Sequence, residues 1–179
     1  MKNSLFYFLF IFTFSLFSQE TKQDTISLQN LEEVIVSSIR VKQNAPIAFT
    51  NVSKDELSKK NLGQDLPILL NSLTSVVTTS DAGAGVGYTG IRIRGINAQS
   101  TNITINGIPY NDAESLGTFW VDLPDFASSV ENLQVQRGVG TSTNGSSAFG
   151  ASINILTDLI SKTPYFENSN SIGLSLIHI

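Results

Sequence analysis

Residues 91–94 read Ile-Arg-Ile-Arg, and the same two-residue period returns at Ile103-Thr104-Ile105 and at Leu133-Gln134-Val135-Gln136. A period of two marks an extended strand with one face toward a core, and a helix of 3.6 residues per turn cannot satisfy it. Glycine sits at the joints. Gly95 follows the first run, and Asn106-Gly107 follows the second, a pair that tolerates the two positive φ angles of a tight hairpin turn. The chain is therefore expected to build a sheet of short strands, with Ile91 and Ile93 inward and Arg92 and Arg94 on the opposite face. The strands at 91–94 and 103–105 are expected to form one small antiparallel unit. Its arginines meet water or acidic partners, because an unpaired buried guanidinium is strongly disfavoured.

Helical signals are short and local. Ser53 and Glu56 have the spacing of a capping box, which predicts a helix from there through about Lys60. Leu66, Leu69, Leu70 and Leu73 recur at i, i+3, i+4 and i+7, with Pro67 tolerated in the first turn, and predict a second helix ending near Thr74. Asp122 is expected to cap a further short helix with Pro124 in its first turn. A strand through Leu133 and Val135 ends at Arg137-Gly138. A Gly- and Ser-rich loop then leads to a last strand at 151–157, marked by Ile153 and Ile155.

The residue inventory narrows the chemistry. In 179 residues, a length suited to one domain, there is no cysteine, and the only histidine is His178. Thiolate nucleophiles, Cys/His metal sites, disulfides and Ser-His-Asp catalysis all need groups that this sequence lacks or holds only near its end. Asp112 and Glu114 leave carboxylate chemistry open, but their spacing is equally that of a solvated loop. Gly85-x-Gly87-x-x-Gly90 has the outline of a phosphate cradle, yet Ile91–Arg94 follows as a strand where a dinucleotide site needs a helix amino end. No catalytic residue, metal or cofactor is expected. A net charge of −4 argues against a nucleic-acid partner. Only 15% of residues are charged, against roughly 25% in average domains, and the polar remainder suits a surface pressed against another wet surface.

At the amino end Lys2 precedes an apolar run from Leu5 to Phe17 and then Ser18. That run is short of the roughly 20 residues of a membrane-spanning helix and fits a secretory signal, with a retained anchor as the alternative. A polar tail follows, then Leu31–Ser38, "LEEVIVSS", whose Val34, Ile35 and Val36 favour an extended backbone. Such a segment is either the first strand of the domain or a strand that another protein captures. Tyr110, Phe119 and Trp120 lie among polar residues in the stretch 110–120. They suit ligand recognition, and Phe119 and Trp120 equally suit a return to the core.

Taken in order, "LEEVIVSS", "IRIRG", "ITINGIPYND" and "VENLQVQRGVGTSTNGSSAFGASINILT" resemble the plug domain of TonB-dependent outer-membrane transporters, from about Leu31 to Asp158. The resemblance implies an α+β plug, a small mixed four-stranded sheet with short helices, seated inside a β-barrel of about 22 strands. It implies a signal peptide over 1–18, a periplasmic tail with the TonB box over 19–40, the plug over 41–158, and the start of a truncated barrel over 159–179. On this reading the chain is a fragment or an incomplete product. Glu32, Glu33, Val34, Ile35 and Val36 resemble the TonB box, with Asp24–Ser27 as a second version of it. Arg92, Arg94 and Arg137 occupy positions that pair with acids of the barrel wall.

The family's ligand-facing loops correspond to 81–88, 98–100 and 110–118, where Tyr88, Gln99, Ser100, Tyr110 and Glu114 would meet substrate. The implied partners are TonB with its inner-membrane energising complex, the protein's own barrel, the outer membrane, and a small-molecule ligand such as a metal chelate. The implied function is uptake of a scarce extracellular ligand (ferric siderophore, haem or cobalamin-like), with no chemistry performed on it. A secreted binding or adhesion domain that works without a barrel is the alternative.

Overall fold

The capping box forms as its spacing demands. Ser53 Oγ accepts from the Glu56 amide at 3.4 Å while Glu56 Oε2 accepts from the Ser53 amide at 3.1 Å. The resulting helix α1, Lys54–Ser58, buries Leu57. In the computed structural model, which describes residues 39–140, 144, 148–161, 163–168 and 170, strand β1 (Ala48–Ser53) leads into α1. Helix α2 (Leu66–Leu69) carries Pro67 in its first turn and tightens into a 3-10 turn at Leu70–Ser72, close to the expected end. Strands β2 (Val76–Ser80), β3 (Thr89–Ile93), β4 (Thr101–Ile105), β5 (Ile108–Pro109), β6 (Val130–Arg137) and β7 (Ala151–Thr157) complete the order. The expected signal segment, Asp24–Ser27 and Glu32–Val36 lie outside the described residues.

Two sheets result. One runs β1-β6-β7-β4-β5 and the other is the pair β2-β3. In the first, β7 lies parallel to β4 and antiparallel to β6, so the sheet is mixed. The mixed sheet that the resemblance implied is present; its four longer strands include β1, a strand without an expected counterpart, and β5 adds a two-residue edge. Asn106 and Gly107, at φ 51° and 84°, make the β4–β5 turn.

The expected pairing of 91–94 with 103–105 does not form. Strand β3 pairs with β2, Ile91 facing Thr78 and Ile93 facing Val76, while Ile103 in β4 faces Ile153 of β7. The reason is local. Arg94 and Gly95 take φ 54° and 77°, and the turn they make returns only as far as Ile96, whose amide donates to the Ile93 carbonyl at 3.0 Å. The chain then passes through a 3-10 turn at Ala98–Ser100 into the other sheet. A second departure concerns Asp122. It lies inside the 3-10 turn Trp120–Asp122, because the next amide, that of Leu123, bonds back to Trp120. The turn Phe126–Ser129 starts instead from Asp125, whose Oδ1 accepts from the Ser128 hydroxyl at 2.8 Å.

One face of the large sheet carries Ile103, Leu133, Val135, Ile153 and Ile155. With Val52, Leu57, Leu66, Leu70, Ile91, Ile93 and Trp120 they form the main core. Trp120 thus belongs to the core, whereas Phe119 stays about half exposed. Burying each large aliphatic side chain contributes about 1.5–3 kcal/mol.

The other face is polar and, across β6, β7 and β4, nonetheless buried, while Asn51 on β1 stays exposed. Register aligns Asn51, Gln134, Asn154 and Thr104 in one row across four strands, and Gln136, Ser152 and Asn102 in the next. Gln134 Nε2 donates to Asn51 Oδ1 at 2.8 Å, and the Thr104 hydroxyl donates to Asn154 Oδ1 at 2.7 Å. Residues 39–41 lie across this face. The Val41 amide donates to Gln134 Oε1 at 2.7 Å, Gln134 Nε2 donates back to the Val41 carbonyl at 3.2 Å, and Gln136 Nε2 donates to the Ile39 carbonyl at 3.0 Å. Each such bond contributes about 0.5–1.5 kcal/mol net, and leaving a buried partner unpaired costs more.

Candidate functional site

At the end of the large sheet where β4 and β7 begin and β6 ends, several loops are tied together through their backbones. The Gly150 amide donates to the Ser100 carbonyl at 2.8 Å, and the Gly138 amide to the Gly150 carbonyl at 2.9 Å. The loop after β5 joins the same end through one side chain. Asn111 Nδ2 donates to the carbonyls of Thr101 and Leu116, both at 2.9 Å, and its Oδ1 accepts from the Ile103 amide at 2.8 Å. Asp112 then closes the loop on itself, its carboxylate accepting from the amides of Ser115 at 2.7 Å and Glu114 at 3.2 Å. Those Ser115 contacts hold the Asp112 carboxyl below the usual carboxylate range. Its role in the structure is therefore to shape a loop.

Gln99 and Glu114 are exposed and Ser100 half-buried around this end. Tyr110 is less free. Its ring packs against the main core and its amide bonds to the Ile103 carbonyl at 2.8 Å; burial first, and then Asp122, pushes its hydroxyl upward in pKa. Tyr88 is 68% exposed, on the loop joining β2 to β3. That loop is fixed elsewhere: the Asp65 amide donates to the Gly85 carbonyl at 2.8 Å, and Thr89 Oγ1 to Asp65 Oδ2 at 2.8 Å. The described hydrogen bonds thus group Ser100 with the 110–117 loop, while the Tyr88 loop is anchored on the start of α2.

The three arginines differ in setting. Arg92 is exposed on β3 opposite Val77. Arg94 sits in the turn after β3, its guanidinium beside Gly138, where an added Cβ would lie 3.4 Å from Nη1. Arg137 is half-buried and held by β1, donating to Thr50 Oγ1 at 2.8 Å and to the Phe49 carbonyl at 3.5 Å. Among the described residues the ion pair is Lys54–Asp158, at 2.5 Å, so none of the three arginines has a carboxylate partner there. Also among the described residues, no cluster of three His, Asp or Glu side chains is placed to hold a metal.

Sequence reasoning missed Asn111 and the Gln134–Gln136 pair. Asn111 carries no periodic signal, and alternating glutamines look like a solvent face. In Asn111's case, a polar residue four positions after a tight Asn-Gly turn offered a hint, since it returns beside the strand it left.

Residues 41–152 match the family described as TonB-dependent Receptor Plug Domain. The chain belongs to that family. Curated relatives agree. The chain is 30% identical over 159 residues to an iron-regulated outer membrane virulence protein of Vibrio cholerae, covering 82% of this chain and 22% of that one. It is 29% identical over 133 residues to the vitamin B12 transporter BtuB of Vibrio vulnificus, covering 73% and 21%. With the ferrienterobactin receptor of Escherichia coli it shares 24% identity over 136 residues, covering 70% and 18%. The chain therefore spans about a fifth of the length of such relatives. Among solved structures, a ferric enterobactin receptor of Pseudomonas aeruginosa superimposes with a TM-score of 0.52 at 22% identity, over 71% of this chain and 19% of that one. That likeness concerns the fold. The relatives are receptors and transporters by name, and the plug belongs with them, not with enzymes.

Proposed function

We propose that this chain is the plug of an outer-membrane active transporter that takes a scarce extracellular ligand, a ferric siderophore or a cobalamin-like chelate, into the periplasm with energy delivered by TonB. The family match over residues 41–152 carries the reading. The names of the relatives, a vitamin B12 transporter and a ferrienterobactin receptor, support the ligand class.

The geometry fits the role. Arg92 and Arg94 project from the plug with no carboxylate beside them among the described residues. Acidic groups of a surrounding wall would complete them, and we assign Arg137, which also donates to Thr50 and Phe49 of β1, to the same pairing. Such pairs in a wet socket hold the plug by charge without burying a large apolar surface, so it can move without losing its own core. Gln99, Ser100 and Glu114, at the tied loop end, are the residues we assign to ligand contact. Tyr88 and the edge of Tyr110 belong to the same assignment. We assign Glu32–Val36 to capture by TonB as an added strand, in which backbone donors and acceptors supply the affinity. The export signal over 1–18, the tail over 19–40 and the plug over 41–158 are parts of this proposal.

The test is uptake of labelled ferric siderophores and cobalamin by cells producing the complete receptor, with TonB present or absent. Accumulation of one ligand only with TonB is expected. Accumulation that persists at the same rate without TonB overturns the reading.

A further inference from the structure

Residues 39–41 are not a strand of the sheet, yet they are bonded to it as a strand would be. The primary amide of Gln134 gives the Val41 peptide both an acceptor and a donor, at 2.7 and 3.2 Å, and Gln136 adds a donor to Ile39 at 3.0 Å. Gln136 Nε2 also donates to Gln134 Oε1 at 3.0 Å, which keeps the two side chains in register with the backbone that they hold. Both glutamines are at most 2% exposed, and Ile39 and Val41 are 8% and 5% exposed. Arg40 adds a donor to the Asn154 carbonyl at 3.2 Å.

Three facts make this attachment separable from the fold. The bonds use side chains, so none of the β6 ladder to β1 or β7 depends on them. Ile39 and Val41 are not members of the main core cluster. After a turn closed by the Ala45 amide on the Lys42 carbonyl, the next residue paired into the sheet is Ala48.

We propose that Gln134 and Gln136 form a releasable clasp on the backbone of residues 39–41, and that the clasp sets how far the preceding segment reaches from the sheet. With the clasp closed, Ile39, the first described residue of the strap, is held three residues after Val36, a span of about 10 Å at full extension. With it open, and Arg40 released from the carbonyls of Asn132 and Asn154, the anchor becomes Ala48, twelve residues away from Val36, and the reach grows to about 40 Å. The clasp itself reads peptide groups, and the Arg40 side chain adds a separate attachment through the carbonyls of Asn132 and Asn154. Its consequence for energy coupling rests on the reading of Glu32–Val36 as the captured segment: opening the clasp lengthens the tether while the sheet stays intact.

The experiment uses the complete exported protein and two variants. Gln134→Leu removes the reciprocal pair from the sheet side. Val41→Pro removes the donor from the strap side and leaves the sheet face untouched, which covers the case in which Gln134→Leu fails to fold. This sequence has no cysteine, so spin labels on Ser37→Cys and Ser58→Cys report a single pair distance within it. In Gln134→Leu, hydrogen exchange at the Val41 amide is expected to rise by up to about tenfold, as loss of a net hydrogen bond allows, while Val41→Pro, which has no amide there, is read by the label distance. The amides of Leu133, Val135 and Ile153 should keep parental protection, and the label distance should broaden and lengthen by up to about 30 Å. Unchanged Val41 exchange in Gln134→Leu together with an unchanged label distance in both variants overturns the clasp, as does loss of sheet protection together with the strap. Either failure leaves the TonB reading standing, because that reading is decided by uptake.

Discussion

At Gly150 the lack of a side chain is what lets two parts of the molecule meet. A Cβ there would overlap Cγ2 of Ile96 and lie 2.6 Å from its Cβ, while the Gly150 amide and carbonyl are both engaged by neighbouring loops. Gly150→Ala should therefore destabilise by about 1–3 kcal/mol through overpacking, read as a lower thermal midpoint. Adding Ile96→Ala should recover part of the loss, and strict additivity of the two changes would contradict the contact. Asp112 makes a prediction in pH. Its folded pKa is depressed, so the stability it gives the loop is present above the unfolded pKa and lost as pH falls through the folded value. The Ser115 amide resonance should titrate with a midpoint below that of an unperturbed aspartate. A midpoint at or above the ordinary value would remove Asp112 as the closure.

Elements differ in how much of them the sequence discloses. The capping box, the α2 leucines and the Asn106-Gly107 turn are readable because each is decided within a few residues. Strand partners are not, since pairing depends on where the chain goes after a turn. Nothing in Ile91–Arg94 tells that Val76–Ser80 lies beside it and that Ile103 lies beside Ile153. The polar row Asn51, Gln134, Asn154, Thr104 was equally hidden, because alternation marks two faces without saying that both are covered. Among candidate site residues, the exposure of Arg92 follows from its strand phase. The grip of β1 on Arg137 requires the fold. Asn111 holds the loop that carries Glu114, so Asn111→Ala should leave the Ile103 amide and the Thr101 carbonyl without their partner. A cost of about 1–3 kcal/mol is expected, with faster exchange at Ile103 and at 112–117. Parental exchange at Ile103 would show that the loop is held by other means.

For the whole molecule, the fold supplies a small rigid core, a loop cluster at one end of the large sheet, and exposed arginines. The relatives that the chain matches are roughly five times the length of the part that aligns. Small size limits what the core can contribute, and seating by charge in a larger partner is consistent with a surface that is polar but sparsely charged. In the proposed arrangement ligand selection would be shared with the wall around the plug, so the plug's own loops would disclose only part of it. The account turns on energy entering through residues 31–38. The most direct measurement compares ligand binding and ligand uptake by cells carrying the complete receptor with those eight residues deleted. Parental binding with uptake reduced to the level of cells lacking the receptor is the predicted result, and uptake at the parental rate would contradict the account.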